Sequence, residues 1–327
     1  MGFIGKDSTY VIPQVYFNVT HEHKKTLSLS SASVVNMVDS WSTIQLQSVE
    51  KLNPETNTVT LDDGRELNYK ALVLAPGFDS KVENIPGLKE FDEGSEDNNT
   101  FVHCIDSLER VNRNFYNGYY NKGGDLICYS PKMPYKGEGT DFYALYYESF
   151  LRQDKMLDLV PQGGRVVYVT PNKSICPFPY ANEVILDECA KRGIEVQFGW
   201  EMLSIQEDAC GNKTMTLRNV DSGETIEKDY TAATVNPTSK PHQWLVDAGV
   251  TDDIGMVDVN KYTLQHKKYE NIFAFGDCIA GDLTRTMSAV ISQAPVVKNN
   301  VLKYIHGKEP NGIWDGFSQQ ILPWIFL

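Results

Sequence analysis

Three adjacent residues, Gly276-Asp277-Cys278, follow the apolar stretch "NIFAF" and combine groups that could do chemistry. The carboxylate can accept hydrogen bonds from sugar or ribityl hydroxyls, the thiol can act as a redox group, and the glycine lets a ligand approach the backbone. A second apolar stretch, "ALVLAPG", ends at Gly77 much earlier in the chain. Each turn alone is typical of a structural feature, but together they predict a cofactor site where two strands end.

The elements that would position these residues form a repeated pattern of strands, turns and helices. Strands are predicted, from their length and β-branched content, at 71–77, 124–131, 165–171, 194–200 and 231–237. Hairpins are predicted at 57–69 and 213–230, and helices near 141–155, 180–192 and 286–306. This alternation indicates an α/β fold of mostly parallel sheets, in which a domain at 112–238 is inserted between 1–111 and 239–327.

The last predicted helix contains a proline within its apolar pattern. The apolar residues that define the pattern are Val290, Ile291, Ala294, Val297, Val301 and Ile305. Proline has no N–H to donate to the preceding turn, and its ring collides with that turn. We therefore expect Pro295 to kink or interrupt the helix.

The composition excludes several functional classes. A net charge of −13 argues against a nucleic-acid partner, because phosphate binding requires a basic surface. No apolar run reaches the roughly 18 residues of a membrane-spanning helix, although the closing "ILPWIFL" could touch a membrane surface or a partner. The six cysteines form no C-x-x-C pair and no Cys/His spacing suits zinc, so we expect neither a metal site nor a disulfide framework.

Longer stretches around both turns carry a family resemblance. The segment "MVDVNKYTLQHKKYENIFAFGDC" with "TRTMSAVISQ" after it resembles the flavin-binding segment of mitochondrial-type sulfide:quinone oxidoreductases. The likeness extends to "VEKLNPETNTVTLDDGRELNYKALVLAPG" and, more faintly, through the middle of the chain. It implies two Rossmann-like (FAD/NAD(P)-binding) domains, FAD as cofactor, quinone as electron acceptor, and a mitochondrial location associated with the inner membrane.

The resemblance also implies a role for individual residues. Asp277 would bond the ribityl chain of FAD, while Gly77 and Gly276 would let the backbone approach the cofactor. Arg285 stands where the family usually has a lysine near the flavin, and Gln293 follows in the same segment. Cys278 matches one of the two cysteines that pass sulfur between them, and it is the candidate catalytic residue.

Two motifs of the family have no counterpart in this sequence. No G-x-G-x-x-G opens the chain, whose first residues resemble the part after that motif, so the first domain is expected to lack its opening βαβ unit. The second domain also lacks a G-x-G-x-x-G and has "VVYVTPNKSICPFP" instead, which suits the resembled family because it passes electrons to quinone and not to a nicotinamide. By the resemblance, Gly137 replaces the second cysteine, and one thiol cannot form the disulfide that sulfide attacks. Cys104, Cys128 and Cys176 could substitute for it, but none lies at the matching position.

Three functions remain open from the sequence. The first is a sulfide:quinone oxidoreductase-like flavoprotein whose reaction is impaired and whose FAD is either retained or lost. The second is an inactive structural or accessory subunit of a mitochondrial membrane (respiratory) complex, held there by other protein subunits or by peripheral contact with the membrane. The third, an NAD(P)H-dependent quinone or disulfide reductase, has the least support.

Overall fold

The computed structural model describes residues 42–89, 124–132, 164–176, 178–281 and 285–317, together with 2–4, 10–11, 28–29, 100–102, Tyr135 and Leu145. The strands in chain order are β1 (Gly2–Ile4), β2 (Tyr10–Val11), β3 (Ser28–Leu29), β4 (Thr43–Gln45), β5 (Val49–Asn53), β6 (Thr58–Leu61), β7 (Glu66–Asn68), β8 (Leu72–Leu74), β9 (Asp79–Ser80), β10 (Thr100–Val102), β11 (Asp125–Tyr129), β12 (Arg165–Thr170), β13 (Glu195–Phe198), β14 (Trp200–Glu207), β15 (Lys213–Asn219), β16 (Thr225–Tyr230), β17 (Ala232–Val235), β18 (Ser239–Lys240) and β19 (Ile272–Ala274). The helices are α1 (Pro179–Lys191), α2 (Gln243–Asp247) and α3 (Met287–Ile305), with 3-10 helices at Val82–Asn84 and Gly276–Cys278. Apart from Leu145, the helix predicted near 141–155 lies outside the described residues.

Backbone contacts divide the chain into two compact units. The described residues of the first unit fall within Met1–Val19, Thr26–Asp79 and Lys240–Gln320, and those of the second fall within Ser80–Ser239. The second unit is thus flanked in sequence by the two main parts of the first. The domain limits given above, 1–111 with 239–327 and 112–238, remain a prediction.

The first unit contains the strands that carry the two glycine turns. β8 and β19 pair in parallel, with Leu72 opposite Ile272 and Leu74 opposite Ala274. Beside them β5, β6 and β7 form an antiparallel sheet, and the turn between β6 and β7 contains Gly64 with φ 82°. The predicted hairpin at 57–69 is confirmed, and the strand predicted at 71–77 is present but shorter, because it ends at Leu74. A core of aliphatic and aromatic side chains, including Leu61, Leu74, Val257, Leu264, Ile272, Phe273, Val297 and Trp314, holds these elements together.

The second unit has the parallel sheet that the strand pattern predicts. Its strand order is β10-β17-β11-β12-β13, and all the pairs are parallel. α1 follows β12, buries Ile185 and Cys189, and is closed by Gly193, whose φ of 71° suits a glycine. A second sheet, β14-β15-β16, is antiparallel and includes the predicted hairpin at 213–230. The α/β fold class is confirmed.

The stretch 194–200, predicted as a single strand, is divided between two sheets. β13 ends at Phe198 and β14 begins at Trp200, because Gly199 takes φ 78° between them. The amide of Gly199 donates to the carbonyl of Asn172, and its own carbonyl accepts from the amide of Val220. These bonds turn the chain from the parallel sheet into the antiparallel one, so the single-strand prediction is wrong.

Helix α3 corrects a second prediction. It runs without interruption from Met287 to Ile305 with Pro295 inside it, and the Oγ1 of Thr286 caps its first turn by accepting from the amide of Ala289. Buried residues on both sides of the proline, Ala289 and Val297, anchor the helix to the core. We attribute the continuity to this packing, which offsets the hydrogen bond that proline removes. The predicted interruption at Pro295 is wrong, while a kink at this residue remains a prediction.

Candidate functional site

The parallel pairing of β8 and β19 brings the two glycine turns to one edge of the sheet. Gly77 follows Leu74 and Gly276 follows Ala274, and Leu74 and Ala274 are register partners. The amide of Phe275 donates to the carbonyl of Leu74 at 3.2 Å, which extends the contact beyond the strands themselves. The two turns therefore lie together at the carboxyl ends of paired parallel strands, where ligands of open α/β sheets bind.

Both glycines use a backbone conformation that other residues rarely adopt. Gly77 has φ 71° and Gly276 has φ 79°. A Cβ at Gly77 would meet no heavy atom within 4 Å, and one at Gly276 would lie 3.5 Å from Cγ2 of Val290. The left-handed φ, and not crowding, is what requires glycine at these positions.

We expect Gly77→Ala to lower the free energy of unfolding by about 1–2 kcal/mol, because an L-residue is strained in the left-handed region. Gly77→Asn should lose roughly half as much, since asparagine tolerates this conformation better. Urea denaturation of the purified variants measures both losses. Equal losses for Ala and Asn would show that the side chain, and not the backbone, is what position 77 rejects.

Gln293 holds the Gly276 turn from helix α3. Its side chain is 1% exposed, and its Oε1 accepts a hydrogen bond from the amide of Gly276 at 2.8 Å. Gly276 is half-buried, so this amide would lose part of its hydration without a partner. Gln293 is therefore placed to position the turn, and its predicted contact with a cofactor remains a prediction.

Cys278 is a buried thiol that joins the two strand ends. Its side chain is 2% exposed, and Sγ lies 3.4 Å from the carbonyl oxygen of Phe275 and 3.7 Å from that of Leu74. The amide of Gly77 donates to the same sulfur. Burial, reinforced by the charge of Asp277, raises the pKa of the Cys278 thiol to about 12. The sulfur therefore stays protonated at neutral pH, a form that does not act as a nucleophile. Its predicted catalytic role remains a prediction.

Arg285 bonds the backbone of the turn. Its Nε donates to the carbonyl of Asp277 at 3.2 Å and its Nη2 to the carbonyl of Ile279 at 3.4 Å. The guanidinium carbon lies 5.4 Å from the ring centroid of Phe78, within the range of a cation–π interaction. The side chain is only 8% exposed, so Arg285 joins the segment after the turn to the segment that follows β8.

The sequence did not single out two other residues at this edge. Phe78 is 5% exposed and lies under Arg285, and His242 places Nε2 3.2 Å from the carbonyl oxygen of Pro76. The ring of His242 also stacks on Trp244, with centroids 6.2 Å apart. An aromatic residue directly after a strand-ending glycine is a signal that could have found Phe78. His242 is distant in sequence and gives no such signal.

The backbone of this edge fits the approach of a flavin nucleotide. The space beside Gly77 is open to a Cβ, and the half-buried Asp277 can offer its carboxylate to hydroxyl groups. Asp277, Gly77 and Gly276 are the residues that would hold FAD here, and FAD would supply an acceptor for two electrons. The side chains of Gln293, Cys278 and Arg285 instead make the bonds to backbone atoms described above.

The corresponding loop of the second unit makes its own hydrogen bonds. After β12, the Oδ1 of Asn182 accepts from the amide of Ile175 at 2.8 Å, and the Nδ2 of Asn172 donates to the carbonyl of Pro131. Helix α1 then begins at Pro179, which has no N–H to offer an anion. This loop is poorly suited to the pyrophosphate that a glycine-rich turn and helix N-terminus hold.

Across the described ranges, no group of three or more His, Cys, Asp or Glu residues is arranged to hold a metal ion. In the same ranges, none of the helices combines the length and apolar character needed to cross a membrane. Gly137 and Cys104 lie outside the described residues, so the structure does not place the position of the second cysteine.

Among curated proteins, this chain is similar to mitochondrial sulfide:quinone oxidoreductases. It is 26% identical over 297 residues to the mitochondrial sulfide:quinone oxidoreductase of Mus musculus, covering 90% of this chain and 63% of the relative. It is 28% identical over 276 residues to the same enzyme of Dictyostelium discoideum, covering 83% and 58%. This chain is a homologue of the mitochondrial sulfide:quinone oxidoreductases. It spans about 60% of the length of these relatives, and no protein-family model matches it.

Solved structures share the fold of this chain. The sulfide:quinone oxidoreductase of Aquifex aeolicus matches with a TM-score of 0.73 at 18% identity, over 94% of this chain and 71% of that one. A chain of the Tetrahymena thermophila mitochondrial ATP synthase F1Fo tetramer matches with a TM-score of 0.82 at 25% identity, over 97% and 76%. The Rossmann-type α/β fold is therefore confirmed.

Proposed function

We propose that this protein is a non-catalytic homologue of sulfide:quinone oxidoreductase that serves as a subunit of a mitochondrial membrane assembly. The observation that carries the proposal is the likeness to a chain of a mitochondrial ATP synthase, which covers 97% of this chain. That neighbour is by its description a chain of a mitochondrial ATP synthase F1Fo tetramer, and this chain has the same fold along nearly all of its length. The location is by homology mitochondrial, as the curated relatives are.

The chemistry of the turn supports the non-catalytic part of the proposal. Sulfide oxidation by a cysteine pair requires two sulfurs that exchange through a thiolate. Cys278 is a buried, protonated thiol whose sulfur contacts three backbone groups. By the family resemblance, Gly137 stands where the second cysteine is expected. A thiol held in this way, without a matched partner in the sequence, does not suit sulfur transfer.

A second candidate is a sulfide:quinone oxidoreductase that retains FAD and uses quinone. The half-buried Asp277 and the open backbone at Gly77 favour it, since these features suit a flavin. In that case another cysteine must replace the missing sulfur. The two candidates differ in the flavin absorbance of the protein, in sulfide-dependent quinone reduction and in whether the protein is part of an assembly.

The test is to tag the endogenous protein, solubilise mitochondria in mild detergent, and run a native gel with immunodetection. We expect the protein in a band with a membrane complex, with no flavin absorbance in the purified assembly beyond that of its known flavoproteins. Sulfide-dependent quinone reduction should equal that of assemblies from a deletion strain. A yellow, monomeric protein whose flavin is bleached by sulfide would overturn the proposal and establish the second candidate.

A further inference from the structure

Helix α3 exposes apolar residues on the side that faces away from the core. Its exposed stripe contains Ile291, which is 65% exposed, and Leu302, which is 47% exposed. Its buried side contains the apolar residues Ala289 and Val297 together with two amides, because Gln293 is 1% exposed and Asn300 is fully buried. The exposed side of a helix on a free surface is normally polar, so the two exposed apolar residues are unusual there.

The buried amides are satisfied by backbone groups of the same unit. Gln293 accepts from the amide of Gly276, while Asn300 donates to the carbonyls of Thr263 and Gly312 and accepts from the amide of Gly312. These bonds fix the rotation of the helix about its axis. The exposure of Ile291 and Leu302 therefore follows from the fold and not from a loosely placed helix.

The exposed stripe has the spacing of a helix-packing seam. Ile291, Pro295, Lys298 and Leu302 are all exposed and stand at i, i+4, i+7 and i+11. Alternating steps of four and three residues keep side chains on one line along a helix, as in the seam of a coiled coil. A second helix packed against this line would cover both apolar residues.

The positive charge of Lys298 indicates that such a helix carries a carboxylate opposite it. Among the described residues, no carboxylate lies within ion-pair distance of Lys298, and helix α3 contains no Asp or Glu. A lysine within an apolar seam is tolerated when the opposite helix presents a carboxylate. In addition, Pro295 has no N–H, so the carbonyl of Ile291 lacks its usual helical donor and can accept a hydrogen bond from a partner.

We propose that the seam of Ile291, Pro295, Lys298 and Leu302 docks an apolar helix of a partner subunit, which places an Asp or Glu opposite Lys298. This inference rests on the proposed function, because the partner belongs to the same mitochondrial assembly. The docking surface lies on the first unit, on the side of α3 opposite to the residues that hold the Gly276 turn.

The test compares two pairs of substitutions in the endogenous, full-length protein. Ile291→Asp with Leu302→Asp should reduce the fraction of the protein in the assembly band about tenfold, because charge enters the centre of an apolar interface. The matched control is Ile254→Asp with Val246→Asp, at residues that are 64% and 41% exposed in the same unit. This control should leave the assembly band unchanged.

Charge reversal and cross-linking identify the helix that packs against the seam. Lys298→Glu should weaken assembly more than Lys298→Gln, because only the former repels a carboxylate. A photoreactive amino acid at position 291 should cross-link to a helical segment of a subunit in the band, within one or two turns of an Asp or Glu. A photoreactive group at position 254 should not.

The remaining outcomes distinguish a failure of the docking proposal from a failure of the proposed function. A wild-type protein that enters no assembly contradicts the proposed function, whereas assembly that is insensitive to the seam substitutions overturns only the docking helix. Seam-dependent flotation of the purified protein with phosphatidylglycerol vesicles would assign the seam to lipid instead. Seam-dependent dimerisation of the purified protein would assign it to a second copy of this chain.

Discussion

Iodoacetamide at pH 8 will alkylate Cys278 in the native protein more than about a thousandfold more slowly than the exposed Cys210. With a pKa of about 12, roughly one Cys278 sulfur in ten thousand is a thiolate at this pH, against about a quarter for a thiol in a simple peptide. Only the thiolate reacts, and the burial of the sulfur excludes the reagent further. Mass spectrometry of time-resolved samples gives the rate at each cysteine separately.

This result bears directly on whether the turn can take part in sulfur transfer. Unfolding in urea should remove most of the difference between the two cysteines, which serves as the internal control. If Cys278 reacted as fast as Cys210 in the folded protein, the turn would open readily. The catalytic role that the family resemblance implies for Cys278 would then gain support at the expense of the non-catalytic proposal.

Phe273→Ala should lower the free energy of unfolding by about 3–5 kcal/mol, because a large side chain leaves a cavity in a close-packed core. Phe273 is fully buried in β19, and its ring meets that of Tyr304 edge-on with centroids 6.2 Å apart. The same strand leads into the Gly276 turn. Urea denaturation followed by circular dichroism measures the loss.

A matched substitution separates burial from the loss of a phenyl ring. Phe178→Ala removes the same atoms from a residue that is 55% exposed, so its effect should stay within about 0.5 kcal/mol. Val73, the register partner of Phe273 on β8, is 42% exposed and makes a second comparison within the same sheet. A loss below about 1 kcal/mol for Phe273→Ala would mean that the core around β19 rearranges to fill the space.

The meeting of the two glycine turns was predictable from the sequence. Both Gly77 and Gly276 end apolar strands, and strands of a parallel sheet place their carboxyl ends at one edge. The bonds that hold the turns were not predictable, because they come from residues without a distinctive pattern. Arg285 and Gln293 could be placed near the site by resemblance, but their acceptor and donor groups depend on the backbone conformation of the turn.

Helix α3 and strand β14 show where periodicity fails. The apolar pattern of α3 gives no sign that Gln293 and Asn300 face inward. Their orientation depends on hydrogen bonds between their side-chain amides and backbone groups of nearby loops, which the pattern does not reveal. In β14 the register shifts between Met202 and Ser204, so its buried residues do not alternate regularly. A strand with a bulge lacks the period of two on which sequence-based assignment depends.

The hydrogen bonds of the Gly276–Cys278 turn have a further consequence for how such a chain can change over generations. Gln293, Arg285 and the Cys278 sulfur supply partners to the turn from within the polypeptide. A turn built this way keeps its shape without help from a bound molecule, so selection for redox chemistry could relax while the architecture is still inherited intact. Related sequences that keep Gln293 and Arg285 but vary at the residues around the open space beside Gly77 would be evidence of that history.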